Sequence, residues 1–192
     1  MKIVNEHLNY PKAELISPNT KGYLHIGLEV DYSLFPFFLF TSTRKKEIIN
    51  KTNQLLSEIE KQQGVDTVSL FRAVIMPPAK QSYLDSIKGE IHVAKFDIAI
   101  LIETENIDVA KKIRDHEKTH QLIEYCEKNA SFTHITVLEN AKRIAEVDKS
   151  RKGIFLFNYF YAEDPNIRFC SMSAPTGNWQ VATLSFMRID PP

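Results

Sequence analysis

His116, Glu117, Lys118, Thr119 and His120 spell HExxH. On a helix this spacing sets two imidazoles one turn apart with a carboxylate between them, so the histidines can grip zinc while Glu117 serves as general base in hydrolysis. Helical projection puts His116 and His120 on the stripe of Val109, Ile113 and Ile123. Zinc-binding helices of that kind carry uncharged residues around their ligands, whereas Asp115 and Lys118 intrude here, and no third ligand follows at a recognisable spacing. Chance spacing on a structural helix is the preferred reading; a zinc hydrolase at His116, Glu117 and His120 is the alternative.

Two further histidines, His25 and His134, fall in strand-like runs. Turned into an interior, an imidazole there has a displaced pKa and can act as a general base or a haem ligand, although most strand histidines do neither. Asn158 stands among Phe155, Phe157, Tyr159 and Phe160. A buried amide must be paired, either with a ligand that it orients or with backbone at a bulge. Phe157 and Tyr159 would supply the aromatic wall of such a site. Arg143 would reach a ligand or join Asp148 and Arg151 in an ion-pair cluster. The segment KGIFLFNY, residues 152–159, matches an RNA-recognition signature only at its ends, so its aromatics read as buried strand residues. There is no GxGxxG, P-loop or GxSxG, and neither Cys126 nor Cys170 has a partner base, which leaves nucleotide-binding and covalent-hydrolase mechanisms without support.

The elements that must carry these residues follow from periodicity. Residues 23–31 alternate, with Leu24, Ile26, Leu28 and Val30 on one face and His25, Glu29 and Asp31 on the other, giving a half-buried strand. Ser42 or Thr43 caps a helix over 44–63 that Gly64 ends. A second strand spans 67–76 and stops at Pro77 and Pro78; residues 79–95 are a connection. The third strand, 96–104, sets Phe96, Ile98, Ile100 and Ile102 against Asp97, Ala99, Leu101 and Glu103, a flank expected to meet solvent or a pocket. Helical sequence over 107–128, with a break in its middle, leads to a strand over 132–138. Strands over 153–162 and 179–189 close the chain.

Totals narrow the functional classes. Lys plus Arg and Asp plus Glu are 24 each in 192 residues, so there is no global field for holding nucleic acid. With 43% hydrophobic residues a core is amply supplied. Two cysteines make no disulfide framework, and residues 1–10 lack the apolar stretch of a secretory signal, so the expected location is the cytoplasm. The apolar run at 34–40 is about a third of the roughly 20 residues that span a bilayer, so no membrane partner is expected and the run reads as a buried turn or helix entry.

The order strand, helix, strand, strand, helix, strand predicts an α+β fold: a ferredoxin-like βαββαβ unit over 22–192 with extra C-terminal strands from about 153, after a polar leader over 1–21. Strands joined through helices are expected as parallel neighbours, with both helices on one sheet face. The other face needs a cover from a second subunit or from the C-terminal strands. Asn140, Arg143, Ile144, Val147, Asp148, Gly153, Phe155, Leu156, Phe157 and Asn158 form a pattern that resembles an uncharacterised bacterial protein family of the dimeric α/β-barrel superfamily. The resemblance implies a homodimer and permits oxygenase, isomerase or haem-handling activity without choosing a substrate. The resulting expectation is a protein that binds a small apolar or aromatic molecule, with no cofactor, or catalyses a cofactor-independent oxygenation or isomerisation. Zinc or haem is the alternative cofactor, and a non-catalytic dimerising protein the alternative function.

Overall fold

A computed structural model describes residues 16–31, 41–75, 92, 95–140, 143, 153–161 and 180–189. The elements run β1 (Gly22–Glu29), α1 (Thr43–Ile59), β2 (Val65–Ile75), β3 (Ile98–Thr104), α2 (Ile107–Arg114), α3 (Glu117–Asn129), β4 (Phe132–Glu139), β5 (Phe155–Tyr161) and β6 (Gln180–Ile189). The expected leader before Ile16, the apolar run at 34–40 and most of the 79–95 connection lie outside the described residues.

The strands form a six-stranded sheet in the order β4-β1-β3-β2-β6-β5. Its first four members, with their helices, are a ferredoxin-like α+β unit. Every neighbouring pair is antiparallel. That corrects the expectation of parallel neighbours: the β1–α1–β2 crossover does carry two strands in one direction, but β3 inserts between them and pairs with both.

Local chemistry explains the helix ends. The Ser42 side chain accepts from the Lys45 N–H and starts α1. After the helix, Gly64 turns the chain at φ 83°, and a Cβ there would also press on Val109. The expected break in the second helical stretch falls at Asp115–His116, between α2 and α3.

One face of the sheet packs Leu24, Ile26 and Leu28 of β1 and Ile98, Ile100 and Ile102 of β3 against Ile48, Leu56 and Ile59 of α1, Ile113 of α2, and Leu122 and Cys126 of α3. Each such Leu or Ile contributes about 1.5–3 kcal/mol on burial. Among the described residues no helix is long and apolar enough to cross a membrane.

The second face departs from the sequence reading. β1 is buried on both sides at His25, 5% exposed, and Glu29, 6% exposed, and the flank of the 96–104 run expected to meet solvent or a pocket has Asp97 at 1% and Glu103 at 5%. Phe96 also changes sides. The strand proper begins at Ile98, so alternation does not reach back to Phe96, which joins Phe71 and Ala99 in a second cluster closed by Phe132, Phe155, Phe157 and Tyr159. The cover comes from this chain: β6 pairs with the end of β2, and the β5–β6 hairpin returns the aromatics of β5 over β1 and β3.

Candidate functional site

The second face is where the structure gathers polar chemistry inside aromatic surroundings. His25, on β1 between Leu101 of β3 and Thr136 of β4, points at this face. Its Nε2 lies 3.1 Å from the Tyr159 hydroxyl. Ring centroids of Tyr159, Phe96 and Phe157 stand 5.6, 6.2 and 6.4 Å from its own. Tyr159 meets Phe96 edge-on at 5.0 Å, and Phe157 meets Phe71 edge-on at 4.9 Å. Burial, with a smaller contribution from the neighbouring His134, drives the His25 pKa down to about 4. Burial likewise raises that of Tyr159. The pair is therefore neutral at neutral pH: it can orient a polar group by hydrogen bonding, but His25 is a weak base.

Gly27 makes room for this cluster, since a Cβ there would lie 2.7 Å from the Phe96 ring. Cover is incomplete beyond it. Tyr23, Leu101 and Thr136 are only half-buried, and His134 and Leu138 are exposed. His134 sits beside Phe96, centroids 6.1 Å apart, at the margin of this open half.

At the C-terminal end of β1 lies a buried charged cluster. Lys45 Nζ is 2.6 Å from Asp97 Oδ2, with side-chain exposures of 7% and 1%. Asp97 also accepts from the N–H groups of Val30 and Asp31 at 2.9 and 3.0 Å, while Lys45 donates to the Asp31 carbonyl and Ser42 Oγ to the Asp31 carboxylate. Burial pushes the Asp97 carboxyl up, against the opposing pull of Lys45 and the two amides. All three of these donors belong to the fold. Nearby, Glu29 accepts from the Lys95 N–H and from His92. Sequence reasoning assigned no role to Lys45, Asp97 or His92. The available signal was position: Glu29 and Asp31 end one apolar strand, and Asp97 precedes another.

The remaining predicted residues are dispersed. Arg143 exchanges backbone bonds with Ile16 and donates Nε–H to the Ser17 carbonyl at 2.9 Å. Asp148 and Arg151, its expected partners, lie outside the described residues. Asn158 stands opposite Leu184 in the β5–β6 register, and its side chain is likewise outside what is described.

His116 is the N-cap of α3, in extended backbone, and its Nδ1 accepts from the Lys118 N–H at 3.2 Å. His120 is exposed on α3. The two imidazoles thus do not share one helix. The break at Asp115–His116 resets the helical phase, so that Thr119, Leu122 and Cys126 face the core in place of the projected histidine stripe. Among the described residues no group of three or more His, Cys, Asp and Glu side chains is arranged to hold a metal ion. Cys126 is a free thiol in the core, its pKa pushed up to about 12 by burial.

No protein-family model matches the chain, and the search of curated proteins found no match. Among solved structures, a Bacteroides thetaiotaomicron protein of unknown function, described as a possible oxidoreductase, aligns at 14% identity over 63% of this chain and 98% of its own, with a TM-score of 0.40. A dimeric ferredoxin-like protein from Bacteroides fragilis aligns at 10% identity over 64% of this chain and 98% of its own, with a TM-score of 0.41. A dimeric ferredoxin-like protein from Thermobifida fusca aligns at 8% identity over 67% and 99%, with a TM-score of 0.38.

Proposed function

We propose that this chain is a homodimeric, cytoplasmic protein of the dimeric α/β-barrel kind that binds a small apolar or aromatic molecule on the second face of its sheet. The observation that carries the reading is the neutral His25–Tyr159 pair set in the Phe71, Phe96 and Phe157 cluster, beside a half-covered stretch of the same face. An apolar wall with a few converging polar groups, one of them with a displaced pKa, is the usual make-up of a small-molecule site. In this reading Phe157 and Tyr159 line the ligand and His25 offers a hydrogen bond. His134, exposed at the margin, accepts a proton if the protein is an oxygenase or isomerase. Binding calls on neither zinc nor haem. The edge strand β5, with Leu156 at 52% exposure, supports pairing with a second copy.

The test is titration of the folded protein with 1-naphthol, followed by backbone and aromatic NMR shifts. Resonances of His25, Phe96, Phe157 and Tyr159 are expected to move together, and Tyr159→Phe to weaken binding by about five- to tenfold, the worth of one hydrogen bond. Shifts confined to the helical face, or no shifts, would refute the assignment. Native mass spectrometry of the same sample reads the subunit number, with a monomer ruling out the dimer.

A further inference from the structure

Glu29 is buried, with 8% side-chain exposure, and its Oε1 takes two donors: the Lys95 N–H at 2.6 Å and Nε2 of His92 at 2.9 Å. A carboxylate oxygen only accepts, so Nε2 carries the hydrogen, and in the neutral tautomer this leaves the lone pair on Nδ1. His92 lies flat on Phe132, centroids 3.7 Å apart and planes at 25°, yet 46% of its side chain is exposed. The ring is thus oriented by a carboxylate and by a stacking partner while it remains open to solvent. His25 lacks this arrangement, being buried with Nε2 on Tyr159. His134 is exposed, and among the described residues no carboxylate orients it.

Phe132 connects this pair to the aromatic cluster. It stacks towards Phe96 at 6.3 Å and 12°, and Phe96 in turn meets Tyr159. We infer that Glu29 and His92 form a carboxylate–imidazole dyad whose Nδ1 accepts a proton from a small neutral molecule of the phenol class, its ring held along the Phe132–Phe96 row. The dyad rests on Glu29 and His92 alone; the ligand class rests on the aromatic site proposed above. In the step, the phenol O–H bond breaks, its proton goes to Nδ1 and the electron pair stays on the phenol oxygen. The positive ring that results is balanced by Glu29 across the Nε2–H bond.

Site-resolved ethoxycarbonylation of the full chain by diethyl pyrocarbonate, read by mass spectrometry, tests the dyad. His92 is expected to react about tenfold faster than His120, which is exposed on α3, and Glu29→Gln to bring it down to the His120 rate while His120 itself is unchanged. Equal rates for His92 and His120 in the unsubstituted chain overturn the dyad, and that comparison stands even where Glu29→Gln does not fold. For the ligand class the probe is 4-nitrophenol. It is expected to protect His92 selectively and to show phenolate absorbance on the protein at a pH where the free phenol is protonated, the absorbance being lost in His92→Gln. A reactive His92 that 4-nitrophenol does not protect overturns the ligand assignment. When 1-naphthol still moves the aromatic resonances, the aromatic site stands and the fault lies with seating a phenol against His92; when it does not, the aromatic site itself fails.

Discussion

Nε2 of His25 on β1 and the hydroxyl of Tyr159 on β5 meet at 3.1 Å across 134 residues of chain. This bond ties the C-terminal hairpin to the middle of the ferredoxin-like unit and closes the second face over a histidine. A neutral imidazole is the condition for that closure, because a charged one would have to be buried among Phe96, Phe157 and Tyr159.

Acid should therefore loosen the fold through His25. Its pKa falls from an ordinary 6.5 to about 4 on folding, so as pH drops the unfolded chain binds the proton first. Stability is full above pH 6.5 and is lost between 6.5 and 4, by on the order of 3 kcal/mol from this residue. Urea midpoints measured across that range should fall for the native protein and fall less for His25→Leu. Parallel curves would show that His25 is not the group responsible.

Removing the phenol hydroxyl tests the same bond from the other side. Tyr159→Phe keeps the ring and strands Nε2 of His25, at an expected cost of about 1–3 kcal/mol. Combined with His25→Leu, the two losses should be less than additive, since the bond is already absent. Strict additivity in thermal unfolding would mean that the residues do not interact.

For the buried pair, Lys45→Met leaves Asp97 charged at 1% side-chain exposure with only its two amide donors. The expected loss is about 3–5 kcal/mol. Lys45→Met with Asp97→Asn removes both charges and should be less harmful than the sum of the single changes. Equal effects of Lys45→Met and an exposed control such as Lys111→Met would contradict the pairing.

Gly27 and Gly22 probe close packing on β1. A Cβ at Gly27 would lie 2.7 Å from the Phe96 ring, so Gly27→Ala should cost about 1–3 kcal/mol and shift the aromatic resonances of the second face. At Gly22 it would meet the backbone carbonyl of Asn106, which cannot step aside as a side chain can. Denaturant midpoints should rank Gly22→Ala below Gly27→Ala.

His116 should behave as a helix cap. His116→Asn preserves a capping acceptor and should leave stability nearly unchanged, while His116→Leu should lose about 1 kcal/mol. Thermal unfolding before and after chelator treatment separates this from metal binding: a chelator-sensitive midpoint abolished by His120→Ala would restore the zinc reading.

Much of the element order could be read before any coordinates. Alternation in β1 and β3, the Ser42 cap of α1 and the β-branched run of β4 are local signals, and local periodicity reports directly on the face that meets the helices. His25, Phe157 and Tyr159 were picked out as candidates one by one for the same reason. What they touch was not legible. Whether the second face of β1 is solvent or core depends on where the β5–β6 hairpin lands, and periodicity carries no record of a contact across 134 residues. Projecting His116 and His120 onto the stripe of Val109 and Ile113 failed because the break at Asp115–His116 resets the helical phase between α2 and α3.

The sequence by itself determined the α+β class, the βαββαβ order and one apolar face, because these follow from neighbours within a turn or a strand. Only the tertiary structure decided that Glu29, Lys45 and Asp97 are buried, that His92 rests on Glu29 and that His25 is held neutral under Tyr159. A charge or an imidazole takes its chemistry from the dielectric and the partners that folding brings to it, and those partners come from distant parts of the chain.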